Sequence, residues 1–163
     1  MNLFNKKLFS IFLILALTSC GYTLRGSANI PNNITEISVS SDNYSPIVNS
    51  INKILINNNI KVTSSKKKDL NRIIILSETF NRRQLSMNIT GRVNEYEIIY
   101  TVNFQINSSF DKESDSIVLY RDYSFDENNI MGNSDREEYI QNQMISTASS
   151  LIFNKLIAKI NNN

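Results

Sequence analysis

The 163-residue chain has no histidine, no tryptophan, a single cysteine, four glycines and two prolines. Without histidine it lacks the commonest general base, the usual catalytic triad and most zinc sites. The four glycines are scattered, so there is no glycine-rich loop for binding phosphate. Cys20 has no partner for a disulfide within the monomer. The composition therefore removes the commonest catalytic groups, and we expect neither a cofactor nor a metal ion.

Neighbouring acidic residues leave one catalytic alternative open. Residues 126–127 and 137–138 are adjacent carboxylate pairs, and paired carboxylates can serve as general acid and base. The first pair lies in a predicted loop. The second lies near a predicted helix start, where negative charge is favourable. Solvated surface charge is therefore the favoured interpretation of both pairs.

The first twenty residues have the pattern of a bacterial lipoprotein signal peptide. Residues 5–7 are polar and basic, and a nearly unbroken apolar run follows at residues 8–17. A run of about ten residues suits a signal peptide and is too short to span a bilayer, which needs about twenty. Residues 17–20 then read Leu-Thr-Ser-Cys. A bulky aliphatic residue, two small residues and a cysteine form the lipobox of such signals.

This pattern predicts a signal peptide at residues 1–19, lipid attachment at Cys20 and a single domain at residues 20–163. A lipobox cysteine carries a thioether-linked diacylglyceryl group, and two or more acyl chains anchor a protein stably. Gly21 follows the cysteine. In the common proteobacterial sorting scheme, a residue other than Asp at this position implies the outer membrane. The alternative is an ordinary cleaved signal peptide that ends near a buried cysteine.

Charge is nearly balanced, with 17 basic and 15 acidic residues and a formal net charge of +2. An exported chain with so small a net charge is not expected to bind nucleic acid. The longest basic run is Lys66-Lys67-Lys68. Its favoured interpretation is a solvated loop, and the alternative is a contact with an anion.

Hydrophobic periodicity predicts strands and two helices. Strict alternation of apolar and polar residues indicates strands, and apolar residues three and four apart indicate helices. We expect strands at residues 35–40, 72–80, 93–110 and 117–125, with a short extended piece at 60–63. The apolar run 73–76 predicts an inner strand that is covered on both faces. We expect a polar hairpin loop at residues 108–116, and Gly91 is expected to take a positive φ in a turn.

The two predicted helices have recognisable starts. Ser45 is expected to be the N-cap of the first helix, with Pro46 at its first position. Ser134 and Glu137 have the spacing of a capping box, which predicts a second helix at residues 135–160. The expected core stripe of this helix is Ile140, Met144, Ala148, Leu151, Ile152, Leu156 and Ile160. The resulting order β-α-β-β-β-α predicts an α+β two-layer sandwich, with both helices on one face of a roughly four-stranded sheet.

Three motifs resemble one protein family. Residues 20–26 read Cys-Gly-Tyr-Thr-Leu-Arg-Gly, residues 95–97 and 101–103 read Glu-Tyr-Glu and Thr-Val-Asn, and residues 121–126 read Arg-Asp-Tyr-Ser-Phe-Asp. The first motif closely resembles the start of mature LptE, the lipopolysaccharide-assembly lipoprotein of Gram-negative bacteria. The later motifs and the order of elements resemble the same family over the whole mature chain.

The resemblance implies a non-catalytic protein that plugs the lumen of the LptD β-barrel and helps to place lipopolysaccharide in the outer leaflet of the outer membrane. It also implies a location on the periplasmic side of that membrane, anchored by acyl chains. Direct lipopolysaccharide binding is implied at Arg92, which matches the tip of the family's central hairpin. We add Arg82 and Arg83 as further candidates. Residues 129–133 contain no Lys or Arg where the family has a second basic position.

Two alternatives remain at this stage. Arg92 is equally compatible with an ordinary solvated turn. The whole chain is also compatible with an unrelated lipid-anchored binding module or envelope enzyme that shares the signal peptide alone. In favour of the plug, alternate residues of the strand at 93–110 form a polar stripe that could meet the polar lumen of a barrel. The stripe consists of Glu97, Thr101, Asn103, Gln105 and Asn107.

Overall fold

The computed structural model describes residues 34–63, 70–108 and 112–161. Its elements, in chain order, are β1 (Glu36–Ser41), α1 (Pro46–Asn57), β2 (Lys61–Thr63), β3 (Arg72–Met87), β4 (Val93–Asn107), β5 (Lys112–Ser124) and α2 (Ile130–Asn161). The predicted element order is therefore confirmed. The predicted signal peptide, Cys20 and the lysine run at 66–68 lie outside the described residues.

The strands form one mixed sheet in the order β2-β1-β3-β4-β5. β1 runs parallel to β2 and to β3, and β3, β4 and β5 form an antiparallel meander. The short extended piece after α1 pairs with β1, so the sheet has five strands rather than about four. The chain is an α+β two-layer sandwich, as predicted.

Both helices pack on one face of this sheet and enclose the core. β4 supplies the most regular part, because alternate side chains from Ile98 to Ile106 are buried. Burying a large aliphatic side chain stabilises a fold by about 1.5–3 kcal/mol. The fully buried large side chains are Ile37, Ile47, Ile51, Leu55, Ile73, Ile75, Ile98, Tyr100, Phe104, Met144, Ile152 and Leu156. In the described residues, neither helix has an apolar run long enough to cross a bilayer.

β3 differs from its prediction in coverage and length. Ile73 and Ile75 are buried, whereas Ile74 is half-buried and Leu76 is exposed. The expectation of cover on both faces is wrong, because both helices lie on the same side of the sheet. The strand also continues through the polar segment after residue 80 as far as Met87. Pairing with β4 holds this segment extended, which its composition alone did not predict.

The predicted hairpin loop at 108–116 is too long. Lys112–Ser116 is already part of β5 and pairs with the last residues of β4. Two lysines of α2 bind acidic side chains of this segment: Lys155 to Asp115, and Lys159 to Glu113 at 2.8 Å. Ladder hydrogen bonds and these ion pairs thus extend the strand into residues that look like a loop.

The second helix begins before its predicted start. α2 starts at Ile130, and the backbone nitrogen of Gly132 donates a 3.0 Å hydrogen bond to Oδ1 of Asn129. Asn129 therefore caps the helix, and the capping box predicted at Ser134 is wrong because Ser134 lies inside the first turns. The predicted core stripe also needs one correction. Leu151 is exposed, and Ser149, Phe153 and Ile157 are buried instead.

Candidate functional site

The turn between β3 and β4 is held by one side chain. Oδ1 of Asn88 accepts hydrogen bonds from the backbone nitrogens of Thr90 and Arg92, each at 2.9 Å, and from the Thr90 hydroxyl at 2.6 Å. Gly91 has φ +79°, as predicted, in a region that other residues rarely occupy. These hydrogen bonds therefore hold the turn in one conformation and fix the position from which the Arg92 side chain extends.

Arg92 lies exposed at this tip and forms an ion pair with Glu127 in the loop between β5 and α2. Hydrogen bonds of Asn133 hold that loop in place. Asn133 is buried, and its side chain accepts a 3.1 Å hydrogen bond from the backbone nitrogen of Asp126 and donates one to the Asp126 carbonyl. The backbone nitrogen of Phe125 donates to the carbonyl of Asn94 at 2.7 Å. The hairpin tip and the start of α2 are therefore held together at one end of the sheet.

Arg82 lies on the helix-bearing side of the sheet. Its Nη1 is 3.0 Å from Oε2 of Glu137 and 3.5 Å from the Tyr123 hydroxyl, and its guanidinium carbon is 4.5 Å from the centre of the Tyr96 ring. The hydrogen bond to Tyr123, together with the charge of Glu137, raises the pKa of Arg82 above its usual value. The Tyr123 hydroxyl also donates to Glu137 at 2.8 Å. This cluster joins β3, β4 and β5 to α2.

Arg83 points to the opposite face of the sheet. Its Nε is 2.5 Å from Oε2 of Glu97, whose side chain is 11% exposed. Successive residues of a strand point to opposite faces, so Arg82 and Arg83 cannot act on one small ligand from the same side. The structure therefore does not bring the three candidate arginines together, and each of them already contacts a carboxylate.

A cluster around Glu78 was not predicted from the sequence. The Tyr100 hydroxyl donates a 2.6 Å hydrogen bond to Oε1 of Glu78, and the Ser45 hydroxyl donates to Oε2. The backbone nitrogen of Ile47 is 3.4 Å from Oε2, and the Phe80 ring stacks on Tyr100 at 4.2 Å. Burial, then the hydrogen bond to Glu78, raises the pKa of Tyr100 well above its usual value.

This cluster corrects the role expected for Ser45. The residue occupies the N-cap position of α1, but its side chain makes no capping hydrogen bond to the helix. Instead the Ser45 hydroxyl donates a hydrogen bond to Glu78. The Glu78 carboxylate lies near the first free backbone N–H groups of α1, where the helix dipole favours negative charge. The cluster therefore fastens the start of α1 to β3. The three residues that contact Glu78 are 22 to 33 positions away in sequence, so no local spacing could have revealed it.

The sheet face without helices carries most of the predicted polar stripe. Thr101, Asn103, Gln105 and Asn107 of β4 lie there half-buried, and Val118 and Tyr120 of β5 are exposed beside them. We call these six residues the open face. The side chain of Asn103 donates to Ser77 at 2.8 Å, and that of Gln105 donates to Ser114 at 3.3 Å. Glu97 of the predicted stripe is instead buried and engaged by Arg83.

Among residues 34–63, 70–108 and 112–161, no group of three or more His, Cys, Asp or Glu side chains could hold a metal ion. The polar groups of interest are therefore the arginine–carboxylate pairs and the open face.

Comparison with known proteins identifies relatives of this chain. A family model for LptE, described as lipopolysaccharide-assembly, matches residues 34–156. The LPS-assembly lipoprotein LptE of Photorhabdus laumondii is 26% identical over 94 residues, which are 57% of this chain and 52% of that protein. LptE of Pectobacterium atrosepticum is 28% identical over 105 residues, 61% of this chain and 57% of that protein. The chain thus spans about half the length of these curated relatives.

Solved structures have the same fold. The crystal structure of the rare lipoprotein B from Shewanella oneidensis is similar with a TM-score of 0.73 and 25% identity, and the match covers 78% of this chain and 98% of that one. The solution structure of lipoprotein B from Nitrosomonas europaea has a TM-score of 0.71 at 21% identity, over 86% of this chain and 93% of that one. At that identity the second likeness establishes the fold alone.

The family assignment agrees with the features seen in the sequence. LptE proteins are non-enzymatic, which confirms the prediction that this protein is not an enzyme. An unrelated envelope protein that shares the signal peptide alone would not match the family model across its folded domain. Because that model matches well over half of the chain, the protein belongs to the LptE family of lipopolysaccharide-assembly lipoproteins.

Proposed function

We propose that the protein acts in lipopolysaccharide assembly as the plug of an LptD-type β-barrel in the outer membrane. In this proposal residues 1–19 are removed as a signal peptide, and Cys20 carries the acyl chains that anchor residues 20–163 on the periplasmic side of the membrane. The supporting observations are the lipobox at residues 17–20 and the family relationship.

The open face is the single observation that carries the plug role. In a two-layer domain, the second face of the sheet is available to a partner. Here that face is mixed: Asn103, Gln105 and Thr101 offer hydrogen-bonding groups, while Val118 and Tyr120 offer exposed apolar surface. The lumen of an outer-membrane barrel is polar, so a mixed face of this kind suits a contact with its wall.

Lipopolysaccharide is the second proposed partner, and Arg92 is the residue placed best to contact it. The side chain is exposed at the end of a fastened turn, and a guanidinium binds phosphate oxygens in a bidentate manner. Its pairing with Glu127 uses part of its five donors and leaves others for an anion. Arg82 contacts Glu137, Tyr123 and the Tyr96 ring, and Arg83 is the cation of the buried Glu97, so both are weaker candidates for the same role.

The proposal is tested by purifying the protein from outer membranes and identifying what comes with it. We expect a large β-barrel protein in about equal amount. Val118→Lys with Tyr120→Lys should lower its recovery, because two charges are placed on the open face. Ile56→Lys is the matched control, since Ile56 is similarly exposed at the end of α1 on the helix layer. Recovery of the protein without any barrel, or equal losses from both variants, would contradict the proposed plug role.

A further inference from the structure

Four exposed apolar side chains lie at the end of the molecule that carries Arg92. Met87 ends β3, Ile89 lies in the turn, and Ile130 and Met131 form the first turn of α2. Ile89 is fully exposed, Met131 is 82% exposed, and Ile130 and Met87 are 73% and 57% exposed. We call these four residues the apolar tip. The ion pair and the backbone hydrogen bond between the two segments bring these four residues to the same end of the molecule, and exposed apolar surface gathered at one end is typical of an interaction site.

The two halves of the apolar tip come from segments that are distant in sequence and are held together. Arg92 of the turn forms an ion pair with Glu127, three residues before α2 begins. Asn94 and Phe125 are joined by a backbone hydrogen bond just inside that pair. Asn88 fixes the turn, and Asn133 fixes the loop that leads into the helix. Because these supports are already formed, few additional torsions need to be ordered when the apolar tip meets a partner.

We infer that the apolar tip inserts among the fatty acyl chains of the lipopolysaccharide molecule whose phosphate Arg92 contacts. This inference rests on the proposed function and assigns the glycolipid a second, apolar subsite. A cation next to exposed aliphatic side chains complements a lipid whose phosphates lie next to its acyl chains. Transfer of the four side chains from water to hydrocarbon is favourable. The polar lumen wall of a barrel would give no such gain.

The subsite is tested in intact cells with a photoactivatable residue in the full chain. The residue is placed at Ile89 or Met131 in the apolar tip, at Tyr120 on the open face, and at Ile56 as the exposed control. We expect lipopolysaccharide adducts from positions 89 and 131 and none from position 56. Adducts of the barrel protein or of phospholipid alone at positions 89 and 131, or no adduct there, would overturn the inference.

The same experiment separates this inference from the proposed function. Capture of a barrel protein at position 120 supports the plug role whatever the tip binds. Barrel capture at position 120 combined with no lipopolysaccharide at the tip would overturn the subsite alone. Failure to capture a barrel at position 120, with lipopolysaccharide still captured at the tip, would count against the plug role and leave the subsite supported.

A second measurement removes the apolar side chains without disturbing the supports. Ile89→Ser combined with Met131→Ser should lower the lipopolysaccharide that co-purifies with the protein about tenfold or more, and Ile56→Ser should leave it unchanged. Fully deacylated lipopolysaccharide keeps its phosphates and should bind the parent and the double variant equally. Equal retention of the acylated form by both would contradict insertion among acyl chains.

Discussion

The hydroxyl of Tyr100 in β4 lies 2.6 Å from Oε1 of Glu78 in β3. The other oxygen of that carboxylate accepts a hydrogen bond from the hydroxyl of Ser45 at the start of α1. One acidic side chain thus joins two strands to the first helix. The arrangement satisfies a half-buried carboxylate with donors from both layers, and it sets where α1 begins on the sheet. We expect this contact to matter for stability more than for binding.

Glu78→Gln should lower the free energy of unfolding by about 1–3 kcal/mol. The amide retains one acceptor for Tyr100 but turns a donor toward Ser45 and the first backbone N–H groups of α1. Thermal unfolding of the purified variant measures the effect. Glu138→Gln, an exposed change on α2, is the control and should leave the melting temperature unchanged. Equal melting temperatures for the two variants would show that the Glu78 cluster contributes little.

Stability should fall as the pH rises above about 10, where free tyrosine ionises. Burial raises the pKa of Tyr100 and of Tyr123, so the folded state keeps both phenolic protons after the unfolded chain has lost them. Deprotonation then favours the unfolded state, and the stabilisation is complete below pH 10 and lost above it. Denaturant unfolding across this pH range measures the slope. Tyr100→Phe should reduce the slope of the unfolding free energy against pH. An unchanged slope would show that Tyr100 is not its source.

Arg83→Ala should destabilise the fold by about 1–3 kcal/mol, because the buried Glu97 carboxylate loses its cation. Arg121→Ala is the control, since Arg121 is exposed and its guanidinium contacts the carbonyl of the neighbouring Tyr120. In a double-mutant cycle, adding Glu97→Gln should recover part of the loss. Additive losses would mean that the pair is not coupled, and Arg83 would then be freer to contact lipopolysaccharide.

Arg92→Ala should weaken lipopolysaccharide retention about tenfold while leaving recovery of the barrel unchanged. An exposed ion pair contributes at most about 1 kcal/mol, so folding should be almost unaffected. Glu127→Gln provides the opposite test. This change frees the donors of Arg92 for a phosphate, while the Asn94–Phe125 backbone hydrogen bond still joins the two segments of the tip. Retention, measured as lipopolysaccharide bound per protein, should therefore rise. Unchanged retention in both variants would leave Arg92 as a solvated turn residue.

Cys20→Ala should leave the domain folded and abolish membrane anchoring. The core elements begin at Glu36, after the proposed attachment point. Fractionation of cells expressing the variant should show the protein released from the outer membrane, and circular dichroism of the released protein should match the parent. Loss of the folded spectrum would show that Cys20 is buried in the domain, which was the alternative interpretation of the signal sequence.

Much of the fold was predictable because periodicity is a local property. The alternation in β4 lies within a single element and was predicted with nearly the observed bounds, and the start of α1 at Pro46 was predicted from the neighbouring Ser45 and Pro46. The errors occur where a neighbour overrides local composition. Polar residues after Phe80 and after Lys112 are extended because β4 pairs with them. The observed cap of α2 is Asn129 and not the predicted Ser134. The hydrogen bond between Asn133 and Asp126 holds the loop before it in place.

The candidate site was predicted less completely. Arg92 was expected at a turn from the Thr90-Gly91 pair, and the structure places it there. The carboxylate partners of the three arginines were not foreseeable, because they lie 14 to 55 residues away. The alternation of side chains along a strand predicts that Arg82 and Arg83 point to opposite faces of the sheet. It does not predict which of those faces the helices cover.

The amino-acid sequence by itself determined the signal pattern at Cys20, the types and order of the elements and the resemblance to the LptE family, because each depends on residues close together in the chain. The tertiary structure alone decided which charges meet, that Glu78 fastens α1, and that Ile89 and Met131 share one end of the molecule with Arg92. These relationships depend on strand register and helix packing, which join residues that are far apart in sequence.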